Sequence, residues 1–383
     1  MQKHKEKLLS IFFGLMCFGL NIIYWFCKLL PTQDKVAIVS RQSDTPSVDI
    51  ELLAKELAKQ APSMKIVVAT KKIQAGWMGK IKYGFYMIAV QMPLFATSKV
   101  VVLDGYCLCA SLCRHKSSLI MMQMWHALGT FKNFGYSAIG KKEGYSQAIA
   151  DGMRMHKNYD VVFVSSEAMK NVMAIPFHAQ TKQMVVLPLP RVDLLKDESY
   201  RMKQRERFQA KYPKAKEKKV LLFVPTFRKT IDIVPFLEAF IQAIDFKHYL
   251  FVVKTHPLTK EINHSDHVLY DQHFTSLELL CVADVVVTDY SAIYFEAALA
   301  NKPIYRYIPD EEDYRMQRGL NDLFLEAPGF ISKKAKDVMD AIDANQADLE
   351  EQCQFIRRYI APYENNTERM AKYILDRVRE NEK

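Results

Sequence analysis

The segment Asp284-Val285-Val286-Val287-Thr288-Asp289-Tyr290-Ser291-Ala292-Ile293-Tyr294-Phe295-Glu296 constrains the fold more than any other. Val285 to Val287 are β-branched and uninterrupted, as in a strand covered on both faces. Thr288 to Ser291 make a short polar turn, and Ser291 is placed to N-cap the apolar helix from Ile293 to Leu299. A buried strand that turns straight into a helix belongs to a parallel α/β sheet. It also aims free backbone amides and the positive end of a helix dipole at one point, which suits a phosphate. Glu296, more than one turn deeper, is positioned to accept hydrogen bonds from a ribose attached to that phosphate.

The same alternation runs through the chain. Lys35–Ser40, Met64–Thr70, Lys99–Asp104, Leu119–Trp125, Asp160–Ser165 and Gln183–Leu187 read as strands of a first half, with an amphipathic helix from Ile50 to Ala61. After a charged stretch from Lys196 to Lys219, Val220–Val224, Tyr249–Lys254, His267–Leu269, Val285–Thr288 and Pro303–Tyr307 read as strands of a second half. Ala335–Glu380 reads as helical, with a break at Ala361-Pro362. Strands separated by helices imply parallel sheets with crossover helices. At 383 residues the chain is too long for one ordinary core. The expectation is α/β, with two Rossmann-like halves and a cleft at the carboxyl ends of their strands. The boundaries are expected at residues 1–33, 34–195, 196–345 and 346–383.

The first of these pieces is a different material. Leu8 to Leu30 is almost entirely apolar, with Lys28 its one charge, and is long enough to cross a bilayer. Lys3, Lys5 and Lys7 precede it, which favours a cytoplasmic N-terminus. A true span in that orientation would carry the rest of the chain outside. The run also contains Gly14, Gly19, Asn21 and Tyr24. A helix lying in the interface, or a re-entrant hairpin, keeps the chain inside. A membrane anchor on the cytoplasmic face is therefore preferred over a true span or a buried helix. The net charge of +10 fits anionic lipid or phosphorylated substrates. No aromatic-basic repeat accompanies it, so nucleic acid is not expected as a partner. The seven cysteines read as reduced thiols, and Cys107, Cys109 and Cys113 lack zinc-pair spacing.

The polar residues gather at strand ends. His126 follows an apolar strand, and Gly129, Thr130 and Lys132 come soon after it. A histidine at the mouth of a sheet suits a general base. Thr226 and Arg228 end one strand of the second half, and Lys254 and His256 end the next. They are expected to converge on the edge that carries Thr288, Asp289, Tyr290 and Ser291. Cations sharing one edge repel unless an anion joins them, and a pyrophosphate would. The competing reading pairs each cation with a nearby carboxylate. Arg318, ahead of Gly319, is a further cation for the cleft. Pro309 to Tyr314 reads as a solvated acidic loop.

Taken together, Trp125-His126 with Gly129-Thr130 and Lys132, Pro225-Thr226-Phe227-Arg228, His256-Pro257, Thr288-Asp289-Tyr290-Ser291, and the tail from Lys302-Pro303 to Arg318-Gly319 resemble the CDP-glycerol glycerophosphotransferases of teichoic acid and related polyol-phosphate synthesis. The resemblance covers Lys35 to Tyr373. It implies a GT-B fold whose C-terminal half binds the nucleotide and whose N-terminal half serves the acceptor. It implies that His126 is the catalytic base and His256 a second essential histidine. The chain departs from the family pattern in three places. Ala127 and Leu128 separate His126 from Gly129, Ala292 stands where a second serine is usual, and Glu296 replaces an aspartate. The implied reaction moves glycerol phosphate or ribitol phosphate from a CDP-polyol to a lipid-linked glycan or polyol-phosphate acceptor and releases CMP. No cofactor is required, and a divalent metal is optional. A GT-B glycosyltransferase using a nucleotide sugar and a non-catalytic partner in a wall-polymer complex are the alternatives. The first would turn over a UDP- or GDP-sugar, and the second would release no CMP.

Overall fold

A computed structural model describes residues 2–255 and 268–380. Two six-stranded, all-parallel sheets organise it. The first contains β1 (Lys35–Ser40), β2 (Lys65–Thr70), β3 (Val100–Leu103), β4 (Ile120–Gln123), β5 (Val161–Val164) and β6 (Met184–Val186). The second contains β7 (Lys219–Val224), β8 (Tyr249–Val253), β9 (Val268–Tyr270), β10 (Val285–Thr288), β11 (Ile304–Tyr307) and β12 (Ile331–Ser332). The central strands are buried on both faces, as their unbroken Val/Ile/Leu runs require. The sheet orders are β2-β1-β3-β4-β5-β6 and β12-β11-β10-β7-β8-β9. Each reverses direction once, between β1 and β3 and between β7 and β10. Ligands of open α/β sheets bind at such switch points, beyond the carboxyl ends of the strands.

Most expected strands appear, shortened by a residue or two. The largest change is at β4, which stops at Gln123 instead of Trp125. Trp125 adopts a left-handed backbone, with φ 62°. Such a conformation is strained for a bulky residue and ends the ladder. The charged stretch after Lys196 folds into a helix, Glu198–Lys211. The C-terminal segment has an additional break: helices Ala335–Asp343, Leu349–Tyr359 and Asn366–Glu380 replace two longer ones. The last of them crosses back to pack on Val48–Gln60 of the first half. The two halves share a core, because Phe131 inserts among Tyr294, Phe295 and Phe324 with ring centroids 5.1–5.6 Å apart.

The N-terminal helix Gln2–Cys27 lies along the first half. Phe13 and Tyr24 are buried against it, and Asn21 is half-buried. Gly152 provides the seat for Phe13: a Cβ there would lie 2.2 Å from the ring. Asn21 donates from Nδ2 to the Leu112 carbonyl (2.9 Å) and accepts from the Arg114 amide (2.7 Å). Tyr24 Oη shares a 2.8 Å hydrogen bond with His115 Nδ1. Leu8, Ile11, Phe12 and Leu15 remain exposed, as do Phe18, Ile22 and Phe26. The helix is long and apolar enough to cross a membrane, yet its inner face is fitted to the domain by polar contacts.

Candidate active site

At the first switch point the chain leaves β1 through Arg41-Gln42 and β3 through Asp104, and His126 stands beyond β4. The left-handed Trp125 turns the backbone there. Its indole stacks on Phe134 at 4.6 Å and meets Phe177 edge-on, which holds the adjacent His126 in place. His126 Nδ1 lies 2.7 Å from the Asp104 carbonyl oxygen. A carbonyl only accepts, so Nδ1 carries the proton and Nε2 keeps its lone pair. Burial pushes the imidazole pKa down to about 4, opposed by the Asp104 carbonyl and helped by the charges of Arg191, Lys132 and Arg41. His126 is therefore neutral at pH 7. The Asp104 carboxyl, buried and with Oδ1 unpartnered, is pushed up to about 6.

Gly129 and Thr130 build the joint between the halves. A Cβ on Gly129 would sit 2.5 Å from Phe295 Cζ, so the glycine is what allows that ring to close over the strand end. Asn321 donates from its amide to the Phe131 carbonyl (2.9 Å) and from Nδ2 to the Thr130 carbonyl (2.7 Å). Thr130 Oγ1 donates to the Lys132 carbonyl at 2.7 Å. Lys132 pairs with Leu320 as an isolated antiparallel bridge. Its ammonium has no ion pair or hydrogen bond among the described residues. Burial pushes it down to about 8, against the attraction of Asp289 and with help from Arg318 and Arg228. A half-buried lysine with no described partner has its charge available for an anion.

The second switch point is built differently. Arg228 Nε and Nη2 donate to the two oxygens of Asp310 (2.6 and 2.9 Å), and Nη1 donates to Asp289 Oδ2 and the Thr226 carbonyl (both 2.8 Å). Burial works against its charge, but Asp289 and Asp310 hold the guanidinium above its ordinary pKa. Asp289 also accepts from the amides of Thr226 and Tyr290. Tyr290 donates its hydroxyl to Asp310 (3.1 Å) and stacks on Tyr314 at 4.1 Å. Thr288 Oγ1 donates to the Val224 carbonyl. Arg228, Asp289, Tyr290, Thr288 and the Thr226 backbone thus form a buried frame instead of a row of free phosphate ligands. For Arg228 the carboxylate-paired reading holds. Asp310 is likewise not solvated, because it closes that frame.

Ser291 alone of the turn is half-exposed. The helix Ile293–Leu299 is capped by Ala292, with no side-chain cap bond, and Ser291 Oγ accepts weakly from the Ile293 amide at 3.4 Å. Among the described residues the amides of Ser291 and Ala292 donate to nothing. Of the turn expected to bind an anion, only its last residue and its backbone amides keep free hydrogen-bonding capacity among the described residues. Glu296 is buried and accepts from Arg191 Nη1 at 2.9 Å, while its Oε2 has no partner. Arg191, just beyond β6, also grips Asp49 through Nε at 2.9 Å. Asp49, Arg191 and Glu296 form an ion triad that ties the halves together. Burial raises the Glu296 pKa, opposed by Arg191.

Lys254 donates to the Asp271 carbonyl at 3.0 Å, and burial lowers its pKa. Among the described residues the Arg318 side chain makes a single 3.4 Å hydrogen bond, to the Glu143 carbonyl. His256 lies outside the described residues. Cys107, Cys109 and Cys113 are buried, and no group of three His, Cys, Asp or Glu side chains forms a metal set among the described residues. Sequence reasoning missed Arg41, Asp104 and Arg191. Each follows a strand directly or within a few residues, and that placement was the available signal.

A family model described as CDP-glycerol:poly(glycerophosphate) glycerophosphotransferase matches residues 22–380. The teichoic acid ribitol-phosphate primase of Bacillus spizizenii (strain ATCC 23059 / NRRL B-14472 / W23) is 32% identical over 360 residues, 90% of this chain and 92% of that one. The teichoic acid glycerol-phosphate primase of Bacillus subtilis (strain 168) is 30% identical over 240 residues, 61% of each chain. Among solved structures, the wall teichoic acid polymerase TagF superimposes with a TM-score of 0.72 and 14% identity, covering 99% of this chain and 98% of that one. That likeness shows the fold, the expected GT-B arrangement of two Rossmann-like halves. From the match across residues 22–380 and the near full-length relative, the chain belongs to the CDP-glycerol:poly(glycerophosphate) glycerophosphotransferase family.

Proposed function

We propose that the protein transfers glycerol phosphate or ribitol phosphate from a CDP-polyol to a lipid-linked acceptor at the cytoplasmic face of the membrane, in teichoic acid synthesis. The acceptor hydroxyl oxygen attacks the β-phosphorus. The bond from that phosphorus to the bridging oxygen breaks, CMP leaves with the electron pair, and the hydroxyl proton passes to His126 Nε2. The observation that carries this reading is the fixed tautomer of His126 in the cleft, with Nε2 unprotonated.

A base with a pKa of about 4 would be weak. Burial is the main cause of that value, and the charges of Arg191, Lys132 and Arg41 add to it. A bound pyrophosphate would offset the charges of Lys132 and Arg41, Arg191 being already paired with Asp49 and Glu296, and so raise the imidazole pKa toward the working range of a general base. Lys132, Arg318 and the Ser291 turn are suited to the phosphates, which leaves charge neutralisation to protein groups as the bond breaks. His256 retains its proposed second role from the resemblance. The apolar outer face of the N-terminal helix, together with exposed Trp77 and Phe85 on the helix Gly76–Tyr86, supports a membrane-surface placement.

The test is CMP release from CDP-glycerol and CDP-ribitol with membrane lipid extract as acceptor. His126→Ala is expected to lower turnover by about 10²–10⁴ while donor affinity stays within a few-fold. Wild-type turnover in that variant would remove the base. Turnover of a nucleotide sugar in place of both CDP-polyols would replace the reaction.

A further inference from the structure

A groove of about 770 Å³ runs along the N-terminal helix where it meets the first half. Phe13, Cys17, Phe18, Ile22 and Trp25 line its apolar wall. Three cations, Lys28, Arg114 and Arg154, also line it, against a single acid, Asp151. Asp151 is already engaged by Gln147 at 2.9 Å. Among the described residues, none of the three cationic side chains has an ion pair or a hydrogen bond. An apolar trough bordered by unpaired positive charge is complementary to an amphiphile with a long chain and an anionic head. The size is that of a small-molecule site, and the helix beside it presents its other face as an apolar surface.

The groove is joined to the catalytic cleft through neighbouring residues. Arg154 is held in a left-handed conformation, φ 46°, with its amide on the Asp151 carbonyl at 3.0 Å. The preceding carbonyl, of Met153, accepts from Tyr106 Oη at 2.7 Å. The Arg41 guanidinium lies over the Tyr106 ring, 5.2 Å from its centroid, and Arg41 is one of the charges felt by His126. Tyr106 and Arg41 therefore connect the Arg154 end of the groove to the strand ends that carry His126.

We propose that this groove is the binding site for the hydrocarbon chain and phosphate of the lipid-linked acceptor, with Arg114 and Arg154 meeting the negative charge. The N-terminal helix is then a wall of the substrate site as well as a membrane contact. The assignment rests on the transferase reading for the identity of the lipid. The groove, its cations and its affinity for an isoprenoid phosphate are measurable without it.

The probe is tritiated farnesyl diphosphate, titrated against the full-length protein in phosphatidylcholine nanodiscs, with inorganic pyrophosphate and farnesol as competitors. Saturable binding is expected, displaced poorly by either competitor alone. Arg114→Glu with Arg154→Glu changes two exposed side chains and is expected to weaken binding at least tenfold. Gly14→Trp blocks the groove without a built-in clash, since a Cβ at Gly14 meets nothing within 4 Å, and should weaken it similarly. CDP-glycerol binding, measured in parallel, should not change in either variant. Binding within twofold of wild type in both variants overturns the proposal, as does displacement by pyrophosphate as effective as by unlabelled farnesyl diphosphate. Loss of CDP-glycerol binding in the wild type, with farnesyl diphosphate still bound in the groove, would instead strike the transferase reading alone.

Discussion

The two sheets reverse direction at equivalent places, and the two switch points have opposite characters. In the first half, between β1 and β3, the side chains are under-satisfied. Among the described residues His126 Nε2 and the Lys132 ammonium have no partner, and Asp104 keeps an unpartnered buried oxygen. In the second half, between β7 and β10, Arg228 is locked by Asp289 and Asp310 at 2.6–2.9 Å and roofed by Tyr290 and Tyr314. Polar residues at the ends of parallel strands look alike in a sequence. One set is a frame that holds a loop, and the other is a surface for a ligand. The frame's side chains are spent, so in the transfer proposed above the donor's phosphates are assigned to the Ser291 turn, Lys132 and Arg318 instead.

The sharpest way to break this contrast is Arg228→Ala. If Arg228 belongs to the frame, its loss leaves Asp289 and Asp310 buried without their cation. Removing one partner of a buried pair costs about 3–5 kcal/mol. Urea unfolding should show that loss in the absence of any ligand. A variant of wild-type stability that had lost only CDP-glycerol affinity would move Arg228 back among the phosphate ligands.

Lys132→Met tests the opposite half of the contrast. No described partner is orphaned by the change, and a partly buried charge is removed, so stability should hold or rise slightly. CDP-glycerol affinity should fall by about 1.5–3 kcal/mol, the usual worth of a charge-assisted hydrogen bond. Calorimetry reads both. A stability loss with donor affinity intact would make Lys132 structural.

Gly129→Ala tests the joint between the two regions. The new methyl would start 2.5 Å from the Phe295 ring, and overpacking of this kind costs about 1–3 kcal/mol. Phe295→Leu in the same chain should restore part of that stability. Equal losses in the single and double variants would place the strain elsewhere.

How much of this was legible in the chain depends on the range of the interaction. Val285 to Val287 announced a buried parallel strand because a doubly covered strand needs continuous apolar residues. His126 was found because a polar residue directly after such a run must sit at the sheet edge. The locking of Arg228 was not legible, because Asp310 lies 82 residues away and nothing local marks it as a partner. Arg191 was missed for the same reason: its carboxylates, Asp49 and Glu296, come from opposite halves. Nor did the sequence show that Ala292 would cap the helix in place of Ser291. The N-terminal helix was legible as apolar. Its attachment rests on Asn21 and Tyr24, two polar groups in an apolar run, whose partners Leu112, Arg114 and His115 lie 91 to 93 residues away. Because both are fitted into the domain, deleting residues 1–31 should cost stability as well as membrane contact.

The smallest effect, and the finest probe of the contrast, is the pH dependence of stability. His126 and His156 are both depressed from 6.5, to about 4 and about 3, chiefly by burial. The fold favours their neutral forms, so the unfolded chain binds more protons below pH 6.5. Stability from each histidine is complete above that pH and declines as pH falls toward its folded value, by up to about 1.4 kcal/mol per pH unit. Asp104, raised to about 6, has the opposite sign and offsets one histidine between about pH 4 and 6. Comparing each variant with wild type cancels that contribution. His156 is enclosed by Tyr106, Trp125, Phe134 and Phe177, so His156→Phe should remove one histidine's slope whether or not CDP-glycerol is present. His126→Asn should remove a slope of the same sign in the free protein. With saturating CDP-glycerol, the donor's negative charge lifts the His126 pKa toward 6.5, and the difference between His126→Asn and wild type should shrink. A difference that persists at full strength with donor bound would mean that the pyrophosphate lies out of range of His126, and the base would have to be sought elsewhere.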